Sequence, residues 1–308
     1  MMVVAEPTRA LATDAKSGGP RSTIILCADD YALSEGVSRA IAELAAARRL
    51  SATSVLVTAA QWPAGAARLL ANRGHLAVGL HLNLTLGRPL GAMPRLAPSG
   101  AFPGLASLAP RALLGRVDAS ELKAEIGRQL DRFEQGLRFP PDHIDGHQHV
   151  HVLPGVRQAL LEVVIKRYPS RPPLIRVPRG LRRAIAGPGQ ARAKAAMVGL
   201  LGLGFAKSVR EASLPANDSF AGFSRFDLRT PYARELQEAL REPGRRHIVM
   251  CHPGHPDAEL ARLDPVVTRR GMEYEVLMRE PDLPERIWRP SRDADGPALD
   301  WSDPRDRG

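Results

Sequence analysis

The chain has 308 residues, 44% of them hydrophobic, and a formal net charge of +10 from 43 Lys and Arg against 33 Asp and Glu. Its two cysteines, Cys27 and Cys251, exclude a disulfide framework and a cysteine-based zinc site, and no run reaches the ~18 apolar residues of a membrane-spanning helix. Aromatic residues are only 5% and no nucleic-acid motif occurs, so the basic charge argues for no specific nucleic-acid partner.

Residues 1–7 break off too soon to form the apolar core of a signal peptide, and the expected compartment is the cytoplasm. Peripheral contact with an anionic membrane and homo-oligomer formation stay open. Residues 1–21 are polar and rich in Gly, Pro and Ala, which predicts a disordered lead. Residues 23–28 form a short apolar run of the kind buried on both faces of a parallel sheet, and the run ends in Asp29-Asp30-Tyr31. Ser34 is placed to cap a helix whose Val37, Ile41 and Leu44 share one face.

The second strand is expected at 52–57, followed by a helix at 63–72. The third, 76–83, carries His81 near its end. A loop rich in Pro and Gly, 87–109, precedes an amphipathic helix at 119–136, and a further strand leads into the stretch His143-Ile144-Asp145-Gly146-His147-Gln148-His149-Val150-His151. Later elements are a helix at 156–168, a strand at 174–178 and a strand at 246–253 that contains His252. Strands alternating with helices at this spacing predict mainly parallel strands with crossover helices. The length suits a deformed or incomplete TIM-like (β/α) barrel, with its site at the C-terminal ends of the strands.

Residues 166–210 gather eleven Lys and Arg and include an apolar helical run at 195–206. The wider stretch 166–225 is expected to be an insertion or lid on a domain spanning 22–283. Residues 284–308 are charged and Pro-rich and are expected to form a flexible tail.

Four of the nine histidines fall within 143–151. In extended chain Asp145, His147, His149 and His151 would share one face with His143. Imidazole is the commonest metal ligand, although a His-rich polar strand is the plainer reading of this composition alone. Asp29 and Asp30 are adjacent carboxylates directly after an apolar strand; a helix N-cap with a solvated neighbour also accounts for such a pair. His81 alone reads as an interior residue. Two imidazoles and a carboxylate at one rim make the general pattern of a catalytic metal site, which needs a base for water and an acid for the leaving group.

Four segments carry a resemblance: Ala28-Asp29-Asp30-Tyr31, Gly79-Leu80-His81-Leu82-Asn83-Leu84-Thr85, the 143–151 stretch, and Met250-Cys251-His252-Pro253. In this order they resemble the successive motifs of the YdjC-like carbohydrate deacetylases, over about residues 22–260. The resemblance implies a deformed barrel, one divalent metal ion (Mg2+ or Zn2+) and removal of an N-acetyl group from an N-acetylated sugar or glycolipid. By matched position, Asp30, His81 and His147 would bind the metal, Asp29 would be the general base and His252 the acid. Asp145, His149, His151, Arg176 and Asn83 would contact substrate or support the ligands. Tyr31-Ala32 departs from the Phe-Gly that the family often has there, and 180–225 matches poorly. Two other readings remain: a metal-containing protein that binds sugar without turnover, and a metal-dependent hydrolase of an ester or phosphate.

Overall fold

The computed structural model describes residues 23–179, 190–223, 228–241 and 246–290; the expected N-terminal lead lies outside these residues. In chain order the elements are β1 (Thr23–Tyr31), α1 (Glu35–Ala46), β2 (Ala52–Val55), α2 (Trp62–Leu70), β3 (Ala77–Leu82), α3 (Leu105–Leu113), α4 (Ala119–Leu137), β4 (His143–Gly146), a 3-10 turn (His147–Val152) and α5 (Val156–Arg167). They continue with β5 (Leu174–Ile175), α6 (Gln190–Glu211), β6 (Ser219–Ala221), α7 (Tyr232–Ala239), β7 (Arg246–Cys251), α8 (Ala258–Leu263), α9 (Val267–Arg279) and α10 (Leu283–Arg286). Among the described residues, no helix is long and apolar enough to cross a membrane.

The strands form one seven-stranded sheet in the order β5-β4-β3-β2-β1-β7-β6, and every pairing is parallel. The sheet curls until its edges meet at a parallel bridge, Ile175 with Ala216, just ahead of β6. The Asn217 side chain extends that seam: its amide oxygen accepts from Val177 N (2.7 Å) and its amide nitrogen donates to Val177 O (2.8 Å), so a side chain replaces a missing strand partner. The architecture is the deformed (β/α) barrel expected from the alternation of elements.

Period-2 alternation divides the apolar residues into two clusters. Ile24, Leu26, Ala28, Val78, Leu80 and Val249 face the helices in the larger one. Ile25, Cys27, Ala52, Ala77, Leu174, Phe220, Ile248 and Met250 form a smaller, separate cluster inside the sheet's curve. Two residues further along the same strands, the inward positions become Asp29, Ser54, Gly79 then His81, and Arg176. A polar layer therefore sits directly on an apolar floor, at the C-terminal ends of the strands, where parallel barrels place their sites.

Several expectations need correction. α3 begins within the expected 87–109 loop, and the segment 166–225 supplies two barrel strands, β5 and β6, besides α6. Residues 284–290 are not a free tail: Ile287 is buried and Trp288 N donates to Ile24 O at 2.7 Å, which docks this segment on β1. Residues 291–308 lie outside the described residues.

Candidate metal centre

β1 pairs with β2 through Ala28↔Thr53 and Tyr31↔Val55, so the two residues Asp29 and Asp30 stand opposite the single residue Ser54. Such a bulge re-aims side chains at the end of a strand. Asp30 takes a left-handed conformation (φ 68°), a region that Asp tolerates better than most residues. The extended strand would have sent the two carboxylates to opposite faces; with the bulge both are buried and meet partners inside the barrel mouth.

Asp30 Oδ1 lies 2.9 Å from His147 Nδ1 and 3.1 Å from His81 Nε2. On its other side His81 places Nδ1 2.6 Å from Asp145 Oδ1, and His81 and Asp145 are both fully enclosed. A neutral His81 that donates Nδ1–H to Asp145 turns the lone pair of Nε2 towards the Asp30 carboxylate. Two acceptors facing each other require a proton on the ring or a cation between them. Burial opposes charge on His81, but Asp145 and Asp30 outweigh it and raise the imidazolium pKa to about 10. Asp30 is held well below the usual carboxylate range: burial opposes this, and Arg270 and His147 override it. Two imidazole nitrogens and a carboxylate oxygen, all within 4.8 Å of one another, are a donor set that fits a divalent metal ion.

Among the described residues, two other groups have the right atoms, Cys27 with His143 and Asp145, and Asp29 with His81 and Asp145. Both include Asp145, which is already paired with a buried cation. Arg176 donates from Nη1 to Asp29 Oδ1 (2.7 Å) and from Nη2 to Asp29 Oδ2 (2.8 Å), and Nη1 also lies 2.8 Å from Asp145 Oδ2. A metal ion in either group would face this fixed guanidinium, whose charge is locked in by the two carboxylates despite complete burial. Asp30, His81 and His147 are also the group that opens outward, through the part-exposed His147.

The extended reading of 143–151 stops at Gly146. Beyond it the chain turns, with Gln148 (φ 53°) and His149 (φ 61°) left-handed, so the histidines separate. His149 packs its ring on Phe223 and Phe220, at 5.4 and 6.1 Å. His151 Nε2 lies 2.9 Å from Arg176 O, its ring lies against Phe205 of α6, and burial pushes its pKa down to about 3. His143 is enclosed beside Cys27 Sγ (3.6 Å) and Asp145 Oδ2 (3.9 Å). Asn83 staples the loop after β3 and ties it to Thr58 after β2: Oδ1 accepts from Thr85 N and Leu86 N, and Nδ2 donates to Thr58 Oγ1 and Leu86 O. His252 follows β7; its backbone N–H donates to Glu273 Oε2 at 2.5 Å, and burial pushes the ring to about 4.

Three neighbours of the site had no assigned part in the sequence reading. Ser54 Oγ donates to Asp29 Oδ1 (3.3 Å), Glu273 receives the His252 backbone, and Arg270 Nη2 donates to Asp30 Oδ2 at 2.6 Å. Ser54 follows from strand alternation at the end of β2. Arg270 and Glu273 carry no such signal, because the buried face of α9 consists of Arg269, Arg270, Glu273 and Leu277 and has little apolar periodicity.

The family model described as YdjC-like protein matches residues 23–285, and the chain belongs to this family. The carbohydrate deacetylase of Mus musculus is 32% identical over 251 residues, covering 77% of this chain and 79% of that protein. The human carbohydrate deacetylase is 31% identical over 249 residues, covering 77% and 76%. A chitooligosaccharide deacetylase of Proteus mirabilis is 37% identical over 129 residues, covering 42% of this chain and 50% of that one. Among solved structures, a candidate cellobiose-phosphate cleavage protein of Enterococcus faecalis V583 superposes with a TM-score of 0.63 at 20% identity. The match covers 86% of this chain and 94% of that one, and it shows a shared fold.

Proposed function

We propose that the protein is a metal-dependent hydrolase that removes the N-acetyl group from an N-acetylated amino sugar, on an oligosaccharide or a glycolipid. The observation that carries this reading is the convergence of Asp30, His81 and His147 on one point beside a second, separately anchored carboxylate, Asp29. Family membership and the printed names of the carbohydrate deacetylases point the same way.

In this reading Asp30, His81 and His147 hold the metal, with zinc favoured by the two imidazoles and magnesium compatible with a site that keeps more water ligands. Once bound, a divalent cation supplies Lewis-acid polarisation of the amide carbonyl and makes water more acidic. Asp145 holds His81 in the tautomer that presents Nε2. Asp29 takes the proton from the attacking water. Arg176 fixes both of its oxygens, so the carboxylate cannot swing; Oδ1 also accepts from Ser54, and Oδ2 retains a lone pair for the proton. Burial pushes the His252 pKa down to about 4, against the opposing pull of Asp30 and Asp29, so the ring is neutral at neutral pH. It therefore takes up the proton that Asp29 removed from water and passes it to the departing amine. The products are acetate and the free amino sugar.

Acetate release from N-acetylglucosamine oligomers, diacetylchitobiose and N-acetylated glycolipids tests the reaction, with elemental analysis, chelation and metal add-back for the ion. Asp29→Asn should bind zinc within about threefold of wild type while turnover drops at least ~10^2-fold, the contribution of a general base. Unchanged acetate release by that variant would remove Asp29 from the mechanism. Ester or phosphate cleavage without acetate release from any of these sugars would replace the proposed reaction.

A further inference from the structure

Asp30 is gripped from two sides. Oδ1 faces His81 and His147, whereas Oδ2 accepts from Arg270 Nη2 at 2.6 Å. Arg270 lies in α9, 240 residues away in sequence, and its side chain is almost wholly enclosed. Its own position is set elsewhere: Nε donates to Asp264 Oδ2 at 2.8 Å, and Nη2 reaches the same oxygen. Asp264 is in turn fixed by accepting from Val266 N at 2.9 Å through Oδ1. The backbone closes around the arginine as well. Gly254 N donates to Arg270 O, and a β-carbon at Gly254 would lie 3.4 Å from Arg270 Cβ and Cδ and 3.0 Å from Val37 Cγ2.

A buried arginine is costly to desolvate, and here its charge is spent on two carboxylates, one of which belongs to the metal-binding group. We propose that Arg270, locked by Asp264, is a positioning residue for Asp30: it ties up Oδ2 and thereby presents Oδ1 alone to the point shared by His81 and His147. This inference rests on the metal reading above. Its physical basis is local. Asp30 sits on a bulge in a left-handed conformation, so β1 alone does not fix the rotation of its carboxylate. Without Arg270 the carboxylate is free to turn, and Asp264, left without its cation, repels it. The arginine also draws electron density from Asp30 and favours single-oxygen over two-oxygen ligation.

The test measures binding of zinc ion alone by calorimetry, and the visible spectrum of the cobalt(II)-loaded protein as a report of ligand geometry, for wild type, Arg270→Met, Arg270→Lys and Asp264→Asn. Arg270→Met should bind zinc at least ~10-fold more weakly, the usual scale for partners of metal ligands, with a shifted cobalt spectrum. Arg270→Lys, which keeps a donor and the charge, should recover most of the affinity. Asp264→Asn retains the Arg270–Asp30 contact but loosens its anchor, so it should show a smaller loss in the same direction. Should Arg270→Met fail to fold, Asp264→Asn decides. Affinity and spectrum equal to wild type in Arg270→Met, or in Asp264→Asn where Arg270→Met does not fold, would overturn the role of Arg270 while leaving the metal centre in place. No uptake of zinc or cobalt by the wild-type chain would overturn the metal centre and this role together.

Discussion

His81 Nδ1 and Asp145 Oδ1 lie 2.6 Å apart, in adjacent strands that pair His81 directly with Asp145. This contact decides which nitrogen of His81 faces Asp30. Asp145→Asn offers an amide that can donate as well as accept, so Nε2 is no longer reliably the free nitrogen. Metal affinity or turnover should fall 10–100-fold, as for other partners of metal-bound histidines. Zinc titration of the variant checks this, and wild-type affinity would remove Asp145 from the account.

Arg176 is the counter-charge for both Asp29 and Asp145, and all three side chains are buried. Arg176→Met leaves two carboxylates enclosed without a cation. Breaking a buried ion pair from one side costs on the order of 3–5 kcal/mol. Urea denaturation should show the midpoint falling at pH 7, with part of the loss recovered at low pH as the carboxylates take up protons. A midpoint equal to that of wild type would mean that the cluster is far more hydrated than its burial implies.

Gly79 makes room for His143. A β-carbon at Gly79 would stand 2.4 Å from His143 Nε2, a position no side chain can share. Gly79→Ala should force the His143 ring away from Asp145 and cost about 1–3 kcal/mol through overpacking. Thermal melts give the stability change. The imidazole resonances of His143 and His81 should shift together, since both rings contact Asp145.

Glu273 provides a pH signature. Burial raises its pKa to about 7, despite the His252 backbone N–H and the nearby Arg269 and Arg270, which oppose the rise. Arg269 lies 3.7 Å away but spends its closest contact on Glu235, which explains why burial wins. Because the folded-state pKa exceeds the ordinary value of 4.5, the folded protein holds this proton longer than the unfolded chain does. Stability associated with Glu273 is therefore fully present below about pH 4.5 and is lost as pH rises through 7, by at most about 3 kcal/mol. Glu273→Gln should melt like wild type at pH 5 and at a higher temperature at pH 8. A constant difference across that range would contradict the assignment.

Much of the barrel was legible because its signals are local. The apolar runs that became β1, β2, β3 and β7 sit within a few residues of their expected places, and so does the Ser34 cap, whose Oγ accepts from Val37 N. Asp29, Asp30 and His81 lie among the last three residues of their strands, and His147 and His252 directly follow β4 and β7, whereas His143 opens β4. The histidine stretch was not legible in detail. Alternation predicted a common face for His143, His147, His149 and His151, whereas the left-handed turn at Gln148 and His149 sends His149 towards Phe223 and His151 towards Arg176. Asn83 likewise proved to be a loop staple.

The sequence by itself determined which side chains could share the interior, because the period of a strand assigns each residue to a face before any long-range contact forms. Ile25, Cys27 and Asp29 follow one another on that basis, as do Ala77, Gly79 and His81. Only the tertiary structure decided how those side chains meet. Closing the sheet through Ile175 and Ala216 brings Arg176 onto Asp29, and packing α9 against the β1 end brings Arg270 onto Asp30. Those partners are 147 and 240 residues apart in sequence. Local periodicity carries no information about contacts at such separations, and a buried charge becomes affordable only once its distant counter-charge has arrived.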